Sequence, residues 1–524
     1  NITLNHQQNN CQYAFMQKED FSMKKSLKVI ALLAAMAAAM ASFASCSSDT
    51  GTSSTGGAAS GETSTSESGS AASGEVVNLS WIQIGGQPND LDMVTDALNE
   101  YSSEKIGVTC EFTYLDWGVW GERVKAMLQG GENFDIMFNN GDVYTSAIDL
   151  GRFAALDDLL AETPDLKEFI PELCWEGVTY KDAIYGVPTY KDNTQTQYWV
   201  WDNNIVEDYS IPYQDLHTVK EMDPYIRQIQ DEINAGNITT SKYAFYMIRD
   251  GINGQFMNYD ASAAGHIGVR YDDETATVVR IMEQPEMMET YQTLYEWYQD
   301  GIINPDAATV TEAPTYVIVG SAQGFPGAEV GWGNQRGVPV VIEPWGGPVW
   351  SNGTIQGSIN SISSSSDHQV EALKYLELVN TDEYMRNTLV YGIEGTHYTK
   401  NDDGTITRDE VKKNDYAPAG YAQATFMTMY PEAPNPATMY SPDLEAWNET
   451  GEVSVLMGFN FDKSSVENQI SACTVVCQSY DYNIYTGSVD PNVAIPEMYA
   501  KLEEAGLKDI EAELQKQINE YLGK

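Results

Sequence analysis

Asn89, Asp90, Asp116, Trp117, Asn140, Asp142 and Tyr144 fall in three short stretches, at 85–90, 116–118 and 139–144. Carboxylates and amides exchange hydrogen bonds with hydroxyls, and the flat faces of Trp and Tyr offer apolar area to the C–H face of a sugar ring. A pocket for an uncharged, polyhydroxylated ligand needs that mixture. The whole chain leans the same way, with 32 Tyr and 11 Trp against only 14 Phe. Plainer uses exist for the same groups. Asp90 and Asp116 each precede a helical pattern and can cap it, and any Trp can pack a core. Covalent chemistry finds less material. The sequence has no GxSxG, no HExxH and no EF-hand loop, and Gly331 to Gly337 lacks the spacing of a phosphate or dinucleotide loop. Five His give little for a metal centre, so no catalytic residue, metal or cofactor is expected.

The elements that position these residues follow from periodicity. Val76 to Ile84 reads as a strand, and Leu91, Val94, Leu98 and Tyr101 as a helix. Val108 to Leu115 alternates as a second strand, and a helix bearing Val124 and Leu128 stops at Gly130-Gly131. Phe134 to Phe138 is a third strand. Strands alternating with helices over short turns predict a parallel sheet whose ligand lies beyond the carboxyl ends of its strands. Those ends carry the seven residues above. Further on, Tyr198 to Trp201 forms an aromatic strand, Pro285 to Asp300 a helix and Thr315 to Gly320 another strand. A helix bears Val370, Leu373 and Leu376, and a terminal helix pair splits at Gly506.

Composition narrows the function further. The 524 residues carry 29 Lys+Arg against 76 Asp+Glu, net −47, a field that repels nucleic acid and anionic lipid surfaces. Residues 1–22 read as upstream, non-native sequence. From Met23, Lys24, Lys25 and Lys28 precede an apolar run too short to span a bilayer, so 23–45 reads as an export signal. Small residues before Cys46 resemble a bacterial lipobox, which makes Cys46 the expected lipidation site. Residues 46–75 are Ser, Thr, Gly, Ala and acidic residues after that Cys, a composition expected of a flexible tether. Cys110, Cys174, Cys473 and Cys477 remain, and the sequence does not choose among thiols and disulfides.

The order GENFDIMFNN from Gly131, GRFAALDDLL from Gly151, YGVPTY from Tyr185, INSISSSSDHQVEALKYLELVNTDE from Ile359 and YGIEGTHY from Tyr391 carries a family likeness. It resembles the extracellular solute-binding proteins of bacterial ABC importers, in the sugar-binding group related to maltose-binding protein. AGLKDIEAELQKQINEYL from Ala505 is similar to a Gram-positive lipoprotein branch of that group. The resemblance implies a two-lobe α/β fold of the periplasmic-binding type II class, each lobe a mainly parallel sheet flanked by helices, with the cleft between lobes. It places 76–190 plus about 351–450 in lobe 1, and 191–350 plus about 451–524 in lobe 2. It adds Tyr190, Lys191 and Asp192 near the crossing, and Trp332, Trp345, Trp350 and Glu394 from the second lobe and return segment, to the candidate ligand contacts. It further implies an oligosaccharide ligand, permease partners, a lipid-anchored monomer on the extracellular face of the membrane, and no nucleic acid. A surface carbohydrate-active enzyme, which needs only two well-spaced carboxylates, and an adhesin or sensor lipoprotein stand as alternatives.

Overall fold

The computed structural model describes residues 76–524. The 1–22 segment, the expected export signal, Cys46 and the Ser/Thr/Gly stretch lie outside the described residues. No helix among the described residues is long and apolar enough to cross a membrane.

The chain begins as the periodicity requires: β1 (Val77–Ile84), α1 (Leu91–Ile106), β2 (Val108–Leu115), α2 (Trp120–Gly130), β3 (Ile136–Asn139) and α3 (Gly141–Asp149). Helix α1 buries Leu91, Val94 and Leu98. Both α1 and α2 end on glycines in the left-handed region, Gly107 and Gly131, where a side chain would be strained. β1 lies parallel between β2 and β3. Phe134 precedes the third strand as a buried core residue. Trp81 on β1 is fully buried, and its indole N–H donates to Asn360 Oδ1 at 3.0 Å, so its polar edge is satisfied inside the core.

The chain leaves this sheet through β4 (Val187–Pro188) and enters a second sheet as β5 (Gln195–Asp202). That sheet gains β6 (Val319–Gln323) and β7 (Val340–Trp350), and the chain then returns to the first sheet as β8 (Ile359–Ile362). A third passage runs through β9 (Glu452–Val453) to α4 (Glu467–Tyr485), α5 (Pro491–Glu504) and α6 (Leu507–Tyr521). The first sheet has the order β2-β1-β3-β8-β4 and the second β6-β5-β7-β9. One hydrophobic core gathers residues from Leu79 to Tyr190 and from Trp350 to Met457. The other gathers Trp199 to Val319 and Leu456 to Ile518.

Strand direction differs from the expectation of two mainly parallel sheets. β5 is antiparallel to both β6 and β7, and β8 is antiparallel to β3 and β4. Connectivity imposes this. A strand that brings the chain into a lobe and one that takes it out at the same end must run in opposite directions, and β5/β7 and β4/β8 are such pairs. The helix Pro285–Gln299 buries Met287, Tyr291, Leu294 and Trp297. The strand expected at Thr315 begins later, at Val319.

Candidate ligand cleft

The crossing segments set where the two sheets face each other. Ile359, just past the second crossing, pairs with Asn139 at the carboxyl end of β3, so the carboxyl ends of β1 to β3 point toward the hinge. In the second sheet the hinge side holds the start of β5 and the end of β7, where Gln195 pairs with Val349.

The hinge is built from buried amides. Asn448, 2% exposed, donates to Lys191 O at 2.7 Å and accepts from the Thr194 hydroxyl at 2.8 Å, while its own carbonyl receives the Trp350 indole N–H at 3.0 Å. One asparagine thereby ties all three crossings. Asn193 Oδ1 accepts from Lys191 N–H, and its amide donates to Thr189 O. Asn352 bonds Phe459 O and Gly458 N–H, and Gln356 donates to Gly177 O and Asn460 Oδ1. Close approach is part of the design. A Cβ on Gly451 would sit 2.3 Å from Thr194 Cγ2, and one on Gly347, at φ 77, would sit 2.1 Å from Gln195 O. Lys191 and Asp192 form an ion pair at 2.8 Å with both side chains 9% exposed. Such a pair holds its geometry because separating the charges would leave each buried and alone. Tyr190 is buried, its carbonyl accepting from Thr425 Oγ1 and Phe426 N–H, and burial pushes its phenol up.

On the first lobe, Trp117 is half-buried and stacks on Tyr421 with centroids 6.2 Å apart and planes at 20°. Tyr421 meets Phe138 of β3 edge-on at 6.3 Å. This platform lies beside Gly85, just past β1, whose Cβ would come within 3.6 Å of the Trp117 indole nitrogen. Buried Arg386 holds the segment bearing Tyr421 through the carbonyls of Gly420 and Thr425, and burial lowers that guanidinium to about 10. Gln83, second from the end of β1, is fully buried, and neither atom of its amide has a hydrogen-bond partner among the described residues. Gln197 on β5 is in the same condition across the hinge. Beyond it, Trp332 lies 6.1 Å from the Tyr198 ring at 57°, and the Tyr198 hydroxyl is buried without a partner among the described residues. Burial also pushes that phenol up, with Glu329 and Glu343 adding to it. Trp345 stacks on Trp199 at 5.2 Å, and its indole donates to Ser321 Oγ.

The sequence candidates thus divide. Trp117, Trp332 and Trp345 keep partly open aromatic faces, and Asn140 is half-exposed at the start of α3 without capping it through its side chain. Asp116 is exposed and accepts from Gly118 N–H, a local turn and not a helix cap. Asp90 sits at the cap position of α1 without bonding it. Its carboxylate receives His397 Nε2 at 3.2 Å, while His397 Nδ1 accepts from Ile393 N–H, which fixes the tautomer. Asn89 donates to Asn414 O. Both residues therefore bind the 393–415 segment to the lobe, where Glu394 is exposed. Tyr144 is a core residue: fully buried, its hydroxyl donates to Val178 O and accepts from Tyr185 N–H. Trp350 is core as well, through the bond to Asn448. The side chain of Asp142, in the first turn of α3, lies outside the described part. Gln83, Gln197, Tyr421 and Asn448 escaped the sequence reading, which placed Tyr198 in a strand but not among the candidates. An amide inside an apolar strand, as in Trp81-Ile82-Gln83-Ile84, was the available signal for the first.

Comparison with known proteins fits this geometry. The family profile described as bacterial extracellular solute-binding protein matches residues 96–414. A second profile, a domain of unknown function (DUF3502), matches 455–523. A carbohydrate ABC transporter substrate-binding protein of Streptococcus pneumoniae is 26% identical over 455 residues, 84% of this chain and 90% of the relative. The crystal structure of the N-glycan transport solute binding protein (NgtS) of the same species aligns with TM-score 0.78 and 24% identity, covering 86% of this chain and 99% of that one. Its complex with Man5GlcNAc aligns at 0.67 with 25% identity over 85% and 99%. A solute-binding protein from Bifidobacterium longum infantis described as HMO binding aligns at 0.59 with 14% identity, over 85% and 99%.

Proposed function

Because the chain belongs to the bacterial extracellular solute-binding proteins, we propose that it captures an oligosaccharide between its two lobes and hands it unaltered to an ABC permease. The observation that carries this reading is the pair of cores joined by three crossings, with half-buried aromatic faces on both sides and buried amides that have no partner among the described residues. Ligand touching both walls favours a closed arrangement over an open one, so binding and hinge motion are one equilibrium. The TM-score is 0.78 against the NgtS structure named with no ligand, but 0.67 and 0.69 against its complexes with Man5GlcNAc and Man1GlcNAc.

In this reading lobe 1 is 76–190 plus about 351–450, lobe 2 is 191–350 plus about 451–524, and the protein acts as a monomer. Trp117, Trp332 and Trp345 supply stacking faces. Cys46 carries the lipid, and residues 47–75 hold the binding body off the outer face of the membrane. No bond of the ligand is broken. Calorimetry of the protein against a panel of oligosaccharides that includes Man5GlcNAc tests the proposal. The expected result is one-to-one binding of at least one of them, with the saccharide recovered intact. Cleaved product, or no heat with any member of the panel, would overturn it. Cys46→Ala should release the protein from the cell surface into the medium.

A further inference from the structure

Cys477 and Asp481 stand one turn apart on α4, inside the 455–523 segment matched by a domain of unknown function. Facing them is His266, 211 positions before Cys477, on the turn between the strands Tyr259–Ala263 and Ile267–Arg270. One donor atom from each of the three lies within 4.8 Å of the other two, and His266 Nε2 is 2.8 Å from Asp481 Oδ1. The imidazole is held in place. Phe256 stacks on it at 5.3 Å and 26°, and the Tyr485 hydroxyl lies 3.3 Å from Nε2. His266 takes φ 50, a left-handed conformation that a non-glycine residue adopts at a cost, and its carbonyl is pinned by Ile281 N–H and the Tyr499 hydroxyl.

We propose that His266, Cys477 and Asp481 bind a zinc-class divalent ion that clamps the C-terminal helices onto the second lobe. An imidazole nitrogen, a thiolate and a carboxylate oxygen are the ligand types of tetrahedral zinc, whereas calcium and magnesium select oxygen alone. Bonds of about 2.0–2.3 Å put tetrahedral ligand atoms about 3.5 Å apart, so contacts that now run from 2.8 Å up to 4.8 Å need to shift by about 1 Å. The Asp481 carboxylate and the Cys477 thiol both face the one imidazole, so three ligand-type groups share a single vertex set. Cys477 is 6% exposed, while the His266 and Asp481 side chains are 16% and 15% exposed, which leaves one side open for entry and for a fourth ligand, water or the Tyr485 hydroxyl. Cys473, one turn earlier, points to Leu502 O and takes no part. The site does not depend on the saccharide reading.

The test is titration of the reduced, metal-free full chain with Zn2+ and with Co2+. One Zn2+ should bind per chain, and Co2+ should give a thiolate-to-metal charge-transfer band. Zn2+ should also raise the thermal midpoint of the wild type. Cys477→Ser should abolish the band and weaken Zn2+ at least tenfold, and His266→Gln should weaken it comparably. Cys473→Ser should behave as wild type. Cys477→Ser changes one atom, so it carries the test even if the histidine variant fails to fold. Substoichiometric Zn2+ at micromolar free metal, or unchanged binding in Cys477→Ser, would overturn the proposal.

Discussion

The crossing segments and the walls they join draw on the same amide-bearing residues, yet treat them in opposite ways. At the hinge, the side chains of Asn193, Asn352, Gln356 and Asn448 are each bonded to carbonyls, hydroxyls or N–H groups of their own or another segment. On the walls, Gln83 and Gln197 are just as buried and have no partner among the described residues. A buried amide without partners costs about 1–3 kcal/mol, so a chain that bonds its hinge amides so fully has a use for the two it leaves unpaired. Under the proposed function, hydroxyls of the bound saccharide are the expected partners.

The strongest way to break this comparison is at the hinge. Asn448→Ala removes one side chain and strands the Thr194 hydroxyl and N–H in the interior, while the Lys191 carbonyl keeps the Asn193 N–H. It should lower stability by about 2–4 kcal/mol, read from denaturant midpoints at constant m-value. A loss under about 0.5 kcal/mol would mean that the hinge amides are interchangeable with water. The wall amides should respond inversely. Gln83→Met and Gln197→Met, close in volume, should leave stability unchanged or raise it by about 1 kcal/mol, because an unsatisfied group is deleted. Each should nevertheless weaken saccharide affinity at least tenfold, about 1.4 kcal/mol, by calorimetry. If both variants lose stability and keep full affinity, the amides are structural and the contrast fails. Trp117→Ala comes next, with an expected tenfold loss of affinity and little change in fold, since Tyr421 keeps its contact with Phe138.

Much of lobe 1 was legible because its information is local. Helical and strand periods, and the glycines at 107 and 131 that end helices, lie within a few residues of what they control. The strand Val108 to Leu115 is found at those bounds. The direction of β5 against β7 was not legible, since it depends on where the chain re-crosses some 150 residues later. Site residues split by the same rule. Trp117 could be placed because it follows a strand at once. Tyr144 read as a loop residue, but helix α3 turns its ring inward to stack on Phe153. Tyr421 and Asn448 were invisible because their partners, Trp117 and Lys191, are distant in sequence. The His266–Cys477–Asp481 group is the extreme case: the two α4 residues share a turn, and nothing local announces the histidine.

The smallest effect concerns a carboxylate near the third crossing, in a place where amides would serve. Asp260 accepts from the Ser454 hydroxyl at 2.6 Å and from Ala261 N–H at 2.7 Å. Burial raises its pKa, and those two hydrogen bonds only partly oppose the rise. The folded state therefore favours the neutral acid. That contribution is fully present below the unfolded aspartate value, about 3.9, and is lost as pH rises through the folded value. Asp260→Asn carries no charge at any pH, with its oxygen free to accept from Ala261 and its NH2 to donate to Ser454. Thermal midpoints of the two proteins should coincide near pH 3 and separate above pH 4, with the variant the more stable at pH 7. Repulsion among the chain's many other acidic groups acts on both proteins alike and cancels in the difference. A gap that is constant with pH, or that favours the wild type at neutrality, would show that the carboxylate is stabilised as an anion. Asp260 would then stand with the bonded hinge amides and not apart from them.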